Sequence, residues 1–211
     1  MSAAPLIVAI DGPAGSGKTT LARLLATDLG LEFLDTGLIY RAVAYRLIQG
    51  GQALDDVAAA TSAAGLVGAG ELGHPGLRDE AVSVGASRVA VIPEVRAAVL
   101  GFQRHFGDAH RGAVLVGRDI GTVVRPDASR KIFVTASLEE RARRRCKELQ
   151  ASGVETIYER VLQDLRQRDA RDRSRAIAPL VPAHDAFVID TTTQDVEAAF
   201  AIARAYVTGA G

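Results

Sequence analysis

The stretch Leu6-Ile7-Val8-Ala9-Ile10-Asp11-Gly12-Pro13-Ala14-Gly15-Ser16-Gly17-Lys18-Thr19 decides the fold class. Leu6 to Ile10 is apolar without alternation, the pattern of a strand buried on both faces of a parallel sheet. Gly12 to Thr19 matches G-x-x-x-x-G-K-[ST], and Lys18 to Leu29 continues with helical periodicity. Strand, glycine-rich turn and helix in that order make a phosphate-cradling P-loop. Its glycines let backbone N–H groups turn inward around a β-phosphate, the helix N-terminus adds partial positive charge, and Lys18 can bridge β- and γ-phosphates. Thr19 then offers its hydroxyl to Mg²⁺. The expected nucleoside triphosphate site comprises Gly12, Pro13, Ala14, Gly15, Ser16, Gly17, Lys18, Thr19 and Thr20.

Outward from this motif, apolar runs at Glu32 to Asp35, Ala113 to Val116, Lys131 to Thr135 and Ala186 to Asp190 predict four more strands. Helical patterns cover Leu38 to Gln49, Pro93 to Phe106, Leu138 to Leu149 and Val196 to Val207. This alternation predicts an α/β fold: a P-loop NTPase-type parallel five-stranded sheet flanked by helices, with ligands at the carboxyl ends of the strands. Two stretches break the rhythm. Leu54 to Val91, rich in Ala and Gly, reads as helical pieces joined by a turn, and Ser152 to Arg175 reads as one long polar helix stopped by Pro179 and Pro182. The domain expected is a single one over 1–211, with Leu54 to Val91 read as a small flap.

Composition narrows the function classes. The 25 Lys and Arg balance the 25 Asp and Glu, so no global field grips a polyanion and nucleic acid is not an expected partner. One cysteine, Cys146, excludes an internal disulfide framework and fits a reducing compartment. No apolar run approaches the roughly 20 residues that span a bilayer, and no leader pattern opens the chain, so the expected location is the cytoplasm, away from membranes. An N-K-x-D guanine-reading motif is absent, which disfavours a GTPase, and the chain lacks the bulk of a motor. Compact kinases with small acceptors remain.

Transfer of a phosphoryl group between two polyanions needs fixed cations, and arginine suits because its planar fork grips two phosphate oxygens. Candidates are Arg41, Arg96, Arg118 in the turn Gly117-Arg118-Asp119-Ile120-Gly121-Thr122, and the run from Arg166 to Arg175, in which five of ten residues are arginine and two are aspartate. That run reads either as a self-neutralising exposed helix face or as a lid that closes arginines over bound nucleotides. Arg96 taken singly fits a solvated helix face. Arg141, Arg143, Arg144, Arg145 and Lys147, interleaved with Glu139, Glu140 and Glu148, read as a solvated helix. Four scattered histidines lack metal-ligand spacing.

Five blocks resemble the bacterial cytidylate kinase family in order over nearly the whole chain: Ile10 to Lys18; Leu34-Asp35-Thr36-Gly37-Leu38-Ile39-Tyr40-Arg41; Ala86-Ser87-Arg88-Val89-Ala90 with Val95-Arg96; Gly117 to Val124; and Arg168-Asp169 through Arg175 to Leu180. The resemblance implies a CORE with an acceptor-binding insert at about 38–95 and a helical LID at about 150–178, and an ATP- and Mg²⁺-dependent phosphorylation of CMP, and of dCMP as a second acceptor, by a monomeric enzyme. It implies that Ser87, Arg96 and Asp119 read the cytosine edge and that Arg41 and Arg118 hold the acceptor phosphate. Asp172 and Arg168 would meet the ribose or phosphates, and Arg175 the closed acceptor site. Lys18, Arg118, Arg168 and Arg175 form the implied catalytic set. Thr36, at the start of the second block, stands where serine is usual, Val116 replaces an acid before G-R-D, and the insert before Ala86 is short. A kinase for another small acceptor, such as UMP or shikimate, and a non-catalytic nucleotide-binding regulator are the rival readings.

Overall fold

Apolar runs too short for helices become strands here, and the amphipathic segments between them become helices that cover the sheet. The computed structural model describes residues 5–209; residues 1–4 and 210–211, the ends of the expected domain, lie outside them. In chain order the elements are β1 (Leu6–Asp11), α1 (Lys18–Leu29), β2 (Glu32–Asp35), α2 (Thr36–Gln49), α3 (Val57–Gly65), α4 (Glu80–Val89), α5 (Pro93–Asp108), β3 (Gly112–Gly117), β4 (Arg130–Thr135), α6 (Leu138–Ala151), α7 (Tyr158–Ser174), β5 (Phe187–Asp190) and α8 (Val196–Thr208). Short 3₁₀ turns at Ala69–Glu71 and Pro75–Arg78 connect α3 to α4.

The chain divides into two units, Met1–Leu34 with His110–Gly211, and Asp35–Ala109. In the first, the sheet has the order β2-β3-β1-β4-β5. Strand β1 lies centrally, parallel to β3 (Leu6 opposite Gly112, Asp11 opposite Gly117) and to β4 (Val8 opposite Arg130). Every residue of β3 is buried, as an inner parallel strand covered on both faces requires. Val8, Ile10, Val114, Val116, Ile132 and Val134 pack with Leu21 and Leu25 of α1 and Ala203 and Val207 of α8. Each such aliphatic side chain contributes about 1.5–3 kcal/mol by leaving water. Helices α6 and α7 pair through Ala142, Cys146, Val161 and Leu165.

The second unit is helical. Asp35 caps α2, its Oδ1 accepting from Gly37 N at 3.0 Å, and Asp56 caps α3 in the same way from Ala59 N at 2.9 Å. Pro93 opens α5, where its missing N–H costs nothing.

The sequence reading of one helix from Ser152 is corrected at its start. Ser152 closes α6, Gly153 takes φ 77°, and α7 begins only at Tyr158. Polar composition hides that break, because periodicity does not register a six-residue connection, 152–157, between two polar helices.

Candidate active site

The phosphate loop follows from local constraints. A Cβ on Gly12 would lie 2.0 Å from the Val134 carbonyl oxygen, so only glycine lets the loop leave β1 beside β4. Gly17, at φ 83°, opens α1, whose first turn carries no acidic residue to offset its positive end. Lys18 is buried and donates from Nζ to the Pro13 carbonyl at 3.0 Å, so the ammonium is folded over its own loop. Ser16 Oγ is buried with no partner. The Ser16 carbonyl accepts from the Thr191 hydroxyl at 3.0 Å, which ties the loop to the end of β5. Thr19 is half-buried and Thr20 exposed on the first turn of α1.

In the same unit, the arginines singled out from the sequence converge on one carboxylate. Asp172, 1% exposed, accepts from Arg118 Nε at 2.9 Å and from Arg175. Arg168 also lies within electrostatic reach of it. Burial pulls the Asp172 carboxyl up, but Arg118, Arg175 and Arg168 together overcome it and hold the group below the usual carboxylate range. Three cations around one anion leave a net positive centre suited to phosphate. The Leu180 N–H donates to the Asp172 carbonyl at 2.8 Å, folding the chain after α7 back over its last turn, with Ala178 at φ 53° in between. Asp119 is buried one residue after Arg118, and Thr122 Oγ1 in the same turn is buried without a partner.

The second unit carries the remaining acceptor candidates. Arg41 on α2 donates to the Leu77 carbonyl at 3.1 Å and to Ser83 Oγ at 3.3 Å. Thr36 is buried at the start of α2. Ser87 Oγ on α4 is buried and unpartnered, a cost that a bound ligand would relieve. Arg96 corrects one sequence expectation: it is buried rather than solvated, donating to the Ala90 carbonyl at 3.3 Å with its guanidinium 5.7 Å from the Tyr40 ring centre.

Helix α6 holds what the sequence concealed. Arg141, expected on a solvated helix, is buried and forks onto both oxygens of the buried Asp169, at 3.1 and 2.7 Å, while reaching the Ala14 carbonyl at 3.3 Å. It thereby joins the phosphate loop to α7. Arg144 donates to Glu140, to the Thr191 hydroxyl and to its carbonyl. Only alternating charge was visible in the sequence, and the single available signal was that Arg141 and Cys146 fall on the apolar stripe of Leu138, Ala142 and Leu149.

The family model for cytidylate kinase matches residues 8–207. The chain belongs to the cytidylate kinase family. It is 56% identical over 200 residues to a cytidylate kinase of Paramagnetospirillum magneticum, covering 93% of this chain and 95% of that protein. Identity to the cytidylate kinase of Methylocella silvestris is 55% over 205 residues, covering 97% and 95%. Among solved structures, a gluconokinase from Sinorhizobium meliloti aligns with a TM-score of 0.54 at 14% identity, covering 98% of this chain and 94% of that one. An uncharacterized protein from Eubacterium ventriosum aligns with a TM-score of 0.57 at 15% identity, covering 97% and 98%. These two share the fold alone. By its family this chain is a phosphotransferase enzyme of the kinase type, with ATP and Mg²⁺ use implied at family level. Among the described residues no helix is long and apolar enough to cross a membrane, and no three His, Cys, Asp or Glu side chains gather as a metal cage.

Proposed function

We propose that the chain transfers the γ-phosphoryl group of ATP to CMP, and to dCMP, as a cytoplasmic monomer, with the residue roles that follow. The observation that carries the reading is the gathering of Arg118, Arg168 and Arg175 on the buried Asp172, in the unit that also holds the phosphate loop. Membership of the cytidylate kinase family supports the acceptor class.

Gly12 to Thr20 receive the triphosphate, and Lys18 exchanges the Pro13 carbonyl for β- and γ-oxygens. Residues at about 38–95 serve as the acceptor-binding insert and those at about 150–178, which include α7, as the LID. Arg41 and Arg118 grip the acceptor phosphate, and Ser87, Arg96 and Asp119 meet the cytosine edge, whose N4 donor lies beside N3 and O2 acceptors. Thr36 adds a buried hydroxyl to the acceptor side. Asp172 is the resident anion of the arginine cluster; as substrate oxygens arrive, Arg118, Arg168 and Arg175 divide their donors between it and the transferring group. The acceptor phosphate is already an anionic nucleophile, so no general base is required.

The half-buried Thr19 hydroxyl is the protein oxygen that would hold Mg²⁺. A single hydroxyl suits this ion, which keeps waters and takes substrate phosphate oxygens instead of an all-protein cage. Held there, Mg²⁺ would supply positive charge to the phosphate oxygens of the bound nucleotide.

The test is ADP formation from ATP and Mg²⁺ by the purified protein, in parallel with CMP, dCMP, UMP, AMP, GMP, dTMP and shikimate. Turnover led by CMP and dCMP supports the reading. Turnover led by another acceptor, or none, overturns it.

A further inference from the structure

The turn after β3 presents Arg118 and Asp119, and its direction depends on a residue outside it. Asp11, the last residue of β1, is 4% exposed and stands opposite Gly117 in the sheet register. Its two carboxylate oxygens each accept one backbone N–H from the turn, Oδ1 from Ile120 and Oδ2 from Gly121, both at 2.8 Å. These are the first two N–H groups after Asp119. The chain then winds through a wide turn, with Arg125 N donating to the Ile120 carbonyl at 2.7 Å. Lys131 closes the other side of the turn: a Cβ on Gly121 would lie 3.2 Å from Lys131 Cδ and 3.5 Å from Asp11 Oδ2.

We infer that Asp11 is a positioning residue for the acceptor turn, its paired oxygens fixing the direction in which Arg118 and Asp119 are presented to substrate. The inference rests on the acceptor roles proposed above for those two residues. A carboxylate is the one side chain that can accept from two adjacent N–H groups with separate oxygens and present no donor against either. An amide in its place turns an N–H toward an N–H.

The electrostatics separate this role from a purely structural one. Burial pushes Asp11 up to about 6, against the opposing pull of the Gly121 and Ile120 N–H groups; Asp119 adds to the rise and Arg118 opposes it. The charged groups facing it are therefore Arg118 and Asp119 from the turn, with Lys131 of β4 alongside, its ammonium directed to Asp185 at 3.0 Å. A carboxyl whose folded pKa is raised stabilises the fold most below its unfolded value and loses that contribution as pH rises through about 6. Stability alone does not favour the ionised form at neutral pH, whereas the turn uses both ionised oxygens.

The experiment is Asp11→Asn in the full chain, assayed beside the unsubstituted protein with CMP and ATP varied separately. The expected result is a loss of about 10- to 100-fold in kcat/KM for CMP, with KM for ATP within about threefold. The amides of Ile120 and Gly121 should exchange at least about tenfold faster while those of Val8 and Leu115 keep their protection. Equal losses for both substrates, or unchanged exchange at the two amides, overturns the inference. Absence of CMP turnover in the unsubstituted protein overturns the acceptor reading instead, and the exchange rates then still decide whether Asp11 holds the turn. If the variant does not fold, the amides of Ile120 and Gly121 in the unsubstituted protein should exchange as slowly as those of Val8 and Leu115, and exchange at the rate of solvent-exposed amides overturns the proposal.

Discussion

Helices α6 and α7 look alike in sequence, both dense in arginine and interleaved with acid, yet they spend their charge differently. On α6, Arg143 and Arg145 pair with Glu140 and Glu148 one turn away, largely in water. On α7, the carboxylates of Asp169 and Asp172 are buried and draw arginines from elsewhere: Arg141 from α6, Arg118 from the turn after β3, and Arg175 from beyond the helix end. The difference lies in the acids. A solvated glutamate settles for its nearest cation, whereas a buried aspartate needs full pairing and so organises distant parts of the chain.

Removing the arginines gathered at the end of α7 should have the largest effect. Arg168→Ala with Arg175→Ala should lower turnover with CMP by about 10³-fold or more while ATP affinity stays within a few-fold. Isothermal titration with a non-hydrolysable ATP analogue, beside steady-state rates, separates the two effects, and retained turnover would refute the proposed role. Next in size, Asp172→Ala leaves Arg118 and Arg175 facing each other without their anion and should cost about 3–5 kcal/mol in a urea titration. Asp172→Asn tests the sign. The carboxyl is held low in the folded state, so its contribution is present above the unfolded carboxylate range and is lost as pH falls through the folded pKa. The unsubstituted protein should therefore lose stability on acidification below about pH 4, and the Asn variant should show a shallower loss. An identical slope in both would show that Asp172 does not carry that pH dependence.

The strands themselves and the phosphate loop were legible because they depend on local rules. Leu6 to Ile10 has the composition of a doubly covered strand, and Gly12 to Thr19 is constrained residue by residue, so element limits there agree with the structure within a residue or two. The arginine cluster was legible as a set, since Arg118, Arg168 and Arg175 each sit in a motif block. Its centre was not: the resemblance named Asp172, but not as the anion the three arginines share, because burial to 1% exposure depends on the chain after α7 folding back through Ala178 and Leu180. Arg141, Asp169 and Asp11 escaped for the same reason: their partners lie 28 residues or more away in sequence, beyond any periodicity. Arg96 taken singly looked solvated because a helix bearing Arg104 and His105 gives no sign that Arg96 is buried; only the motif block set it on the acceptor side.

The smallest effect sharpens the comparison from the other side. Arg143 on α6 pairs with Glu140 at 2.9 Å, and its side chain is 61% exposed. Glu140 is held below the usual range by the hydrogen bond from Arg143 first, and also by Arg144 on the next turn, which remains when Arg143 is removed. Arg143→Ala should therefore change stability by no more than about 0.5 kcal/mol and leave KM for both substrates unchanged. Arg141→Ala, two residues earlier on the same helix, leaves the buried Asp169 without its fork and frees the Ala14 carbonyl of the phosphate loop. If the two alanine variants fell equally in denaturant midpoint, burial of the acid would not be what separates the two kinds of arginine, and the contrast between α6 and α7 would reduce to position along the chain.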